Sequence, residues 1–382
     1  MTESIAPAEG HRAERLPTLD FLRFVAAAMV VLFHYTFRGA VDGAYTSTPF
    51  PEVDAWTRYG SLGVDLFFMI SGFVILLTVD AGRGNPAHFV ASRISRLFPA
   101  FWAAATVTFL VCLFAAPPFA VSARDYLLNL GMFPSWLGAP YVDGVYSTLE
   151  TELTFYLLVL GYLLFLWQRL RLEWLLLGWL LLVAAFVPNE LGPSRVRALL
   201  MVDAAPFFIG GCTFYRIWRD RWTPFRAILV GGAWLAAAVV AGRDAVAISA
   251  SYGTEVSSVV SSAIVSLGFG VFLALCLRPS WFHLGGRRAT LLGALTYPLY
   301  LIHQKIGYLV INATDPVVGR WLAFGLAIAV AVGLAVTIHL LIERRFNSRF
   351  RRWLEPRLAL LSRVAGATRT WAVRRQRPRE AD

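Results

Sequence analysis

Residues 19–37 read LDFLRFVAAAMVVLFHYTF, an almost unbroken apolar stretch that contains Asp20, Arg23 and His34. A helix needs about 20 mainly apolar residues to cross the hydrocarbon core of a bilayer. This stretch has that length and composition, so it is predicted to cross a membrane as an α-helix. It contains no small-residue cleavage site, so we expect it to be retained as a signal anchor.

Nine further stretches have the same character. Of the whole sequence, 57% is hydrophobic and 15% charged, against roughly 45–50% and 25% in ordinary soluble domains. Two of the stretches are short, and each is either a span, a re-entrant piece or part of a neighbouring span. We therefore predict an all-α, polytopic transmembrane helix bundle of about ten spans. The predicted spans are 19–37, 62–79, 97–116, 147–167, 174–188 (short), 198–217, 227–242 (short), 256–277, 290–312 and 321–342.

The basic residues predict the orientation of the bundle. Arginines gather on alternate loops and in the C-terminal tail. Because Lys and Arg beside a span tend to stay in the cytoplasm, we expect an inner-membrane protein with both termini in the cytoplasm. The predicted parts are a cytoplasmic N-terminal segment (1–18), a transmembrane domain (19–342) and a basic cytoplasmic tail (343–382).

The distribution of charge also bears on partners. The net charge of +11 does not indicate nucleic acid, because the surplus lies beside the spans and in the tail, where attraction to the bilayer surface explains it. The tail is either a topology anchor or a surface-binding segment that begins as a helix.

The loop 117–146 is expected to cap or re-enter the site. The three cysteines lie inside apolar segments at no metal-ligand spacing, so no metal site is predicted: Cys112, Cys212 and Cys276.

Ionisable side chains within the first span are the first candidates for a site, because charges are costly in hydrocarbon and usually face a bundle interior or a cavity. Arg23 and His34 are 11 residues apart, which is roughly 16 Å along a helix and within about 20° of one face. Asp20 lies about 40° from His34 on the same reckoning. One helical stripe thus carries a cation at one depth and an imidazole at another. The alternative for His34 is a neutral imidazole in a polar packing niche.

Other spans supply acidic and hydroxyl groups at the depth of the imidazole. Asp65 lies in GVDLFFMISGF near the outer end of the second span. In STLETELTFY of the fourth span, Thr148, Glu152 and Tyr156 form a stripe at i, i+4 and i+8, whereas Glu150 is predicted to point elsewhere. The fourth span therefore offers Glu152 to the same region as His34.

Two further groups complete the candidate site. In TYPLYLIHQK of the ninth span, Tyr300 and His303 lie on one flank; the tyrosine, taken alone, also fits an interfacial aromatic belt. At the opposite depth, Arg93 and Arg96 are spaced i and i+3 in SRISRLFPAFW, so their guanidinium forks lie together and suit a phosphate. Positive-inside anchoring is the alternative for this pair.

Taken in order, these strings resemble the acyltransferase-3 family of bacterial membrane acyltransferases, over residues 16–345. The matching features are the spacing of Arg23 and His34, the string GVDLFFMISGF, the pair Arg93 and Arg96 followed by Pro99 and Trp102, STLETELTFY, and YPLYLIH. The chain departs from the family pattern at Ser147, Leu153 and Pro298, positions that bear on the subfamily and the acceptor.

The resemblance implies an enzyme that transfers an acyl group from cytoplasmic acyl-coenzyme A to a hydroxyl of a glycan, lipid-linked sugar or similar acceptor. We expect the acyl group to be acetyl. Acyl-coenzyme A is then a substrate, and no permanently bound cofactor is expected. A proton-coupled transporter or exporter is the alternative function, because intramembrane Asp, Glu and His also form proton relays. The sequence does not predict the oligomeric state.

We assign hypothetical roles on this basis. Arg23, Arg93 and Arg96 bind the donor's phosphates. His34 acts as general base on the acceptor hydroxyl, assisted or oriented by Glu152, or else carries the acyl group itself. The supporting or acceptor-binding residues are Asp20, Asp65, Tyr156, Tyr300 and His303.

Overall fold

The structure, a computed structural model, describes residues 16–43, 45–186 and 194–366, and within these ranges the chain forms helices and no strand. The all-α prediction is confirmed for this part of the chain. Residues 1–15 of the predicted N-terminal segment and residues 367–382 of the predicted tail lie outside the described residues.

Ten long helices follow one another in the order predicted. They are α1 (Pro17–Phe33), α2 (Gly63–Ala81), α3 (Pro86–Cys112), α4 (Tyr146–Gly161), α5 (Leu172–Phe186), α6 (Ala205–Asp220), α7 (Pro224–Tyr252), α8 (Ser258–Leu277), α9 (Gly286–Val318) and α10 (Arg320–Ile338). An eleventh helix, α11 (Arg344–Arg357), follows α10 through a π-helical turn. Each predicted span thus overlaps one of these helices. The span predicted at 198–217 also includes the end of a short helix, Ser194–Leu200, and residues 187–188 of the span predicted at 174–188 lie outside the described residues.

Eight helical segments of the described chain are long and apolar enough to cross a membrane. Of the other two predicted spans, α5 is apolar but only 15 residues long, and α9 has 33 residues but is too polar to meet the same measure. The polar residues of α9 include part of the candidate site. The eight segments are Pro17–Arg38, Asp54–Ala81, Pro86–Cys112, Tyr146–Leu166, Arg195–Asp220, Pro224–Tyr252, Ser258–Leu277 and Arg320–Arg357.

Several helices extend beyond the predicted spans. Helix α3 begins at Pro86, well before the predicted residue 97, and the side chain of Asn85 caps it by accepting from the backbone N–H groups of Ala87 and His88. Helix α7 runs for 29 residues, so the stretch predicted as short is long enough to span. In both cases polar residues continue the helix past the apolar block, because backbone hydrogen bonding does not stop where hydrophobicity does.

Helix α1 occupies a central place in the bundle. It packs against α2 on one side and α9 on another, and α2 packs in turn against α6. At the α1–α9 contact, a Cβ added to Gly293 would lie 2.5 Å from the Cβ of Asp20, so only glycine permits this approach. This close packing fixes the first and ninth helices, which carry His34 and His303, against each other.

The proximal end of the bundle is the end at which α1 begins, and the distal end is the end at which α1 finishes. Because successive spans alternate in direction, α3 and α9 begin at the proximal end, whereas α2 and α4 begin at the distal end.

Candidate active site

His34 lies where α1 changes its winding. Residues His34–Arg38 form a π-helical turn directly after α1, and such turns are frequent at functional sites. The His34 Nδ1 atom lies 2.9 Å from the carbonyl oxygen of Val30. A carbonyl oxygen can only accept, so Nδ1 carries the proton in the neutral ring and Nε2 holds the free lone pair. His34 is partly exposed, and its Nε2 has no partner among the described residues.

The imidazole of His303, on α9, packs against that of His34. The two ring centroids are 5.1 Å apart and the rings meet edge to face. His303 is fully buried, and its Nδ1 donates to the carbonyl oxygen of Tyr300 at 2.9 Å. Its Nε2 is buried without a partner. Both histidines therefore present the same nitrogen as a potential base.

The three predicted donor-binding arginines lie together. They line a small cavity in the centre of the bundle, the middle cavity, with a volume of about 90 Å³. Arg23 reaches it from α1, and Arg93 and Arg96 reach it from α3. All three also line a second cavity of about 450 Å³, the proximal cavity, beside the first turns of α1. The arginines thus stand at the junction of the two cavities.

The charges of these arginines are balanced to different degrees. Arg23 pairs with Asp20 at 3.2 Å. Arg93 is 8% exposed; its Nη2 donates to the Thr78 hydroxyl at 2.9 Å, and its Nε is buried without a partner. Arg96 makes no hydrogen bond or ion pair with the described residues. Two guanidinium groups therefore lack a carboxylate partner, an arrangement that suits a phosphate.

Glu152 faces the same middle cavity as the arginines. Its Oε1 accepts hydrogen bonds from the Ser71 hydroxyl at 2.8 Å and from the hydroxyl of Tyr156. Among the described residues it makes no hydrogen bond with His34. The predicted stripe of Thr148, Glu152 and Tyr156 does line one cavity. Glu150 points away from it, as predicted, and accepts a hydrogen bond from the backbone N–H of Ser135.

Tyr300 and Thr148 close the middle cavity at its distal end. Their hydroxyl groups are hydrogen-bonded at 2.7 Å, and both residues line the cavity. The ring of His303 lies directly behind Tyr300, with 5.7 Å between ring centroids. His34 is not among the residues that line the middle cavity. The histidine pair therefore lies beyond the Tyr300–Thr148 contact, as seen from the arginines.

A third cavity, the distal cavity of about 510 Å³, lies on the other side of Thr148. Asp65 lines it together with Glu150, Asp203 and Asp244, and Asp65 has no hydrogen-bond partner among the described residues. The distal and middle cavities share the lining residues Phe68 and Thr148. Asp65 is thus separated from the arginines by a thin wall of side chains.

The loop predicted to cap the site contacts the distal part of the bundle. Trp136 of this loop lines the distal cavity. Asp143 is fully buried and accepts from the backbone N–H of Lys305 at 3.1 Å, which fastens the loop to α9 two residues beyond His303. Burial raises the pKa of Asp143 to about 6, although hydrogen bonds from the backbone of Lys305 and Val145 oppose the rise.

A larger cavity lies apart from the middle, proximal and distal cavities. It has a volume of about 1090 Å³ and lies at the far side of α2 from the proximal cavity. Its centre is an ion cluster in which Glu173 accepts from Arg226 at 2.8 Å and from Arg216 at 3.2 Å. None of the predicted site residues line it. Size alone therefore does not identify the candidate site.

The structure brings most of the predicted residues together, in two groups. Arg23, Arg93, Arg96, Glu152, Tyr156 and Tyr300 line the middle cavity; His34 and His303 form a pair behind it; Asp20 pairs with Arg23, and Asp65 lines the distal cavity. Sequence reasoning missed Ser71 and Thr78, which hold Glu152 and Arg93. Their signal is weak, since a single hydroxyl in an apolar span is common. No group of three or more metal-ligating side chains occurs among the described residues.

Comparison with known proteins gives matches along almost the whole chain. A family model described as an acyltransferase domain matches residues 16–340. The chain is similar to the acyltransferase MdmB of Streptomyces mycarofaciens, with 25% identity over 328 residues that cover 77% of this chain and 80% of that protein. It is also similar to the exopolysaccharide production protein ExoZ of Rhizobium meliloti (strain 1021), with 42% identity over 48 residues, which is 13% of this chain and 15% of that protein. No solved structure is significantly similar.

Proposed function

The chain belongs to the acyltransferase-3 family and is a multi-pass membrane acyltransferase, and from this premise we propose its donor, acceptor and chemistry. The donor is acyl-coenzyme A, with acetyl as the acyl group. The acceptor is a hydroxyl of a glycan, a lipid-linked sugar or a similar molecule. Acyl-coenzyme A is a substrate in this scheme, and no further cofactor takes part.

The observation that carries the donor assignment is the pair of guanidinium groups without carboxylate partners, Arg93 and Arg96, at the junction of the proximal and middle cavities. Coenzyme A carries several phosphate charges, and arginine forks bind phosphate oxygens in pairs. Arg23, which lines the same two cavities, lies roughly 16 Å from His34 along α1. The extended pantetheine arm is a suitable group to cover that distance.

Access to the histidines requires a local movement. The Tyr300–Thr148 hydrogen bond closes the middle cavity on the side of the histidines. In the proposed reaction, separation of these two hydroxyls gives the thioester a path to His34. Glu152 stays in the middle cavity, where it partly balances the arginine charges and holds Tyr156 in place.

His34 supplies the reactive nitrogen. Its Nδ1–H is held by Val30, so the lone pair of Nε2 is available near neutral pH. Two routes use this nitrogen. In the first, Nε2 takes the acceptor's hydroxyl proton while the acceptor oxygen attacks the thioester carbonyl, the C–S bond breaks, and the proton passes to the departing thiolate. In the second, Nε2 itself attacks the carbonyl and carries the acyl group.

The distal cavity supports the acceptor assignment. Carboxylates such as Asp65 are good acceptors for sugar hydroxyl groups, and Asp65 lines this cavity of about 510 Å³. ExoZ is named for exopolysaccharide production, which fits a carbohydrate acceptor. With the proximal end in the cytoplasm of a bacterial inner membrane, donor and acceptor approach from opposite sides.

Labelled acetyl transfer tests this function. Purified protein in lipid nanodiscs is incubated with acetyl-coenzyme A that carries the label on the acetyl group, together with mono- and disaccharide acceptors. We expect transfer to a hydroxyl, and a loss of at least 100-fold in His34→Ala. His283→Gln changes an exposed histidine and serves as the control. Transfer that survives His34→Ala at the wild-type rate would refute the role of His34.

A further inference from the structure

The second imidazole of the pair has one buried nitrogen that its packing and hydrogen bonds do not explain. His303 is fully buried, its Nε2 has no hydrogen-bond partner, and its ring contacts that of His34 with 5.1 Å between centroids. Buried polar atoms in proteins are nearly always paired, and each exception calls for an explanation. A nitrogen that is kept unpaired beside a reactive group is one such explanation.

His303 does not set the tautomer of His34. That task belongs to the Val30 carbonyl, which accepts from Nδ1 of His34 at 2.9 Å. His303 is oriented in the same way, because its own Nδ1 is bound to the Tyr300 carbonyl. Both rings thus have Nδ1 occupied by a carbonyl of their own helix, and neither needs the other for orientation.

The surroundings of the pair offer no rival base. Among the described residues, no carboxylate is hydrogen-bonded to either imidazole. Tyr35 donates its hydroxyl to the His303 backbone carbonyl at 2.8 Å. Arg38 lies over the ring of Tyr45, and Asp143 is engaged by the backbone of α9. The Nε2 of His303 is therefore an unpaired basic nitrogen on a ring in contact with that of His34.

We propose that His34 and His303 divide the reaction between them: His34 carries the acyl group, and His303 is the base that activates the acceptor hydroxyl. His34 is the carrier because it is partly exposed and can reach a thioester, whereas the fully buried His303 can receive only a proton. This inference rests on the proposed function and names the catalytic base for the second step, the transfer of the acyl group to the acceptor.

The two steps balance as follows. In the first, Nε2 of His34 attacks the thioester carbonyl, the C–S bond breaks, and coenzyme A leaves as a thiolate; the acylated ring is a cation that keeps its Nδ1–H. In the second, the acceptor oxygen attacks the acyl carbon, the C–N bond breaks, and the hydroxyl proton moves to Nε2 of His303. His303 then releases that proton to the coenzyme thiolate through solvent. The net products are acylated acceptor and coenzyme A.

This division predicts that the two half-reactions can be separated by mutation. An acyl-enzyme exchanges label between acetyl-coenzyme A and labelled free coenzyme A in the absence of any acceptor, and this exchange does not need His303. We expect wild type and the control His283→Gln to exchange, His303→Gln to exchange within about threefold of wild type, and His34→Gln to lose at least 100-fold. Acetyl transfer to a methyl glucoside probe should fall at least 100-fold in both His303→Gln and His34→Gln.

The outcomes distinguish this proposal from the proposed function. Transfer by wild type without exchange would overturn the acyl-histidine step and leave the acyltransferase function intact. Absence of both transfer and exchange in wild type would overturn the function. Two results with His303→Gln would overturn the role of His303. One is retained acetyl transfer; the other is loss of both exchange and transfer while coenzyme A still binds normally. If His303→Gln fails to fold, His303→Ala is assayed with added imidazole, which should restore transfer; no restoration in a folded variant would also overturn the role.

Discussion

Removing the Arg96 guanidinium is the most direct test of the donor site. Arg96 lines both the proximal and the middle cavity and makes no hydrogen bond or ion pair with the described residues. Its substitution by alanine therefore breaks no hydrogen bond or ion pair among the described residues. We expect a loss of affinity for coenzyme A in Arg96→Ala to reflect the lost contact with the ligand.

The magnitude follows from the kind of contact. A hydrogen bond to a charged group contributes about 1.5–3 kcal/mol, and about 1.4 kcal/mol is a factor of ten in affinity. Because Arg96 is only partly buried, water screens it and the lower half of the range applies. We expect the Kd of Arg96→Ala for coenzyme A to rise about 10- to 40-fold. Arg96→Lys keeps the positive charge and loses the paired N–H donors of the guanidinium group, so its Kd should lie between those of wild type and Arg96→Ala.

Isothermal titration calorimetry of coenzyme A into protein in nanodiscs provides the measurement. Arg287→Ala removes the same charge from an exposed site at the start of α9 and is the matched control, with an expected change below twofold. Raising the salt concentration should narrow the gap between wild type and Arg96→Ala. Equal affinities of Arg96→Ala and wild type would refute the donor site and return Arg96 to the role of a topology anchor.

Three further predictions concern the rest of the molecule. Tyr300→Phe removes a hydrogen bond to Thr148 that is worth about 1 kcal/mol. The rate of acetyl-coenzyme A hydrolysis without an acceptor should therefore rise up to about fivefold, with unchanged affinity for coenzyme A. A fall in this hydrolysis rate would show that the Tyr300 hydroxyl contacts the substrate instead. Gly211→Ala should destabilise the protein by about 1–3 kcal/mol and lower its Tm, because the new Cβ would lie 2.0 Å from a backbone oxygen of α2, whereas Gly231→Ala, with open space around it, should not. The raised pKa of Asp143 means that the folded state binds more protons than the unfolded state between about pH 4 and its pKa of about 6. The Tm of wild type should therefore fall, relative to that of Asp143→Asn, as the pH rises from about 4 to about 6. Parallel Tm profiles of the two proteins would contradict this prediction.

The helices and the cationic end of the site follow from the sequence because they depend on local patterns. A run of apolar residues defines a span whatever its neighbours are. The spacing of Arg93 and Arg96, and that of Thr148, Glu152 and Tyr156, places each set on one face of its own helix. The structure confirms that both sets face one cavity. The helix ends were less predictable, since caps and polar turns extend helices past the apolar block.

The contacts between helices did not follow from the sequence. Glu152 and His34 are both polar groups at similar expected depth, but the rotation of α4 directs Glu152 towards Ser71 on α2. The contact between His34 and His303 depends on how closely α1 and α9 approach and on which faces meet. Gly293 permits that approach, and nothing in a single sequence shows which partner a glycine makes room for. Pairings across helices are a property of the assembled bundle.

The thin wall between the middle and distal cavities has a consequence for the cell. Phe68 and Thr148 line both cavities and stand between them. A bilayer that stores energy in an ion gradient must remain an electrical insulator, and an open passage from one face of this bundle to the other would drain that gradient with every turnover. In the function proposed above, the acyl group crosses this wall while ions stay where they are. The wall would then preserve the ion gradient during each transfer.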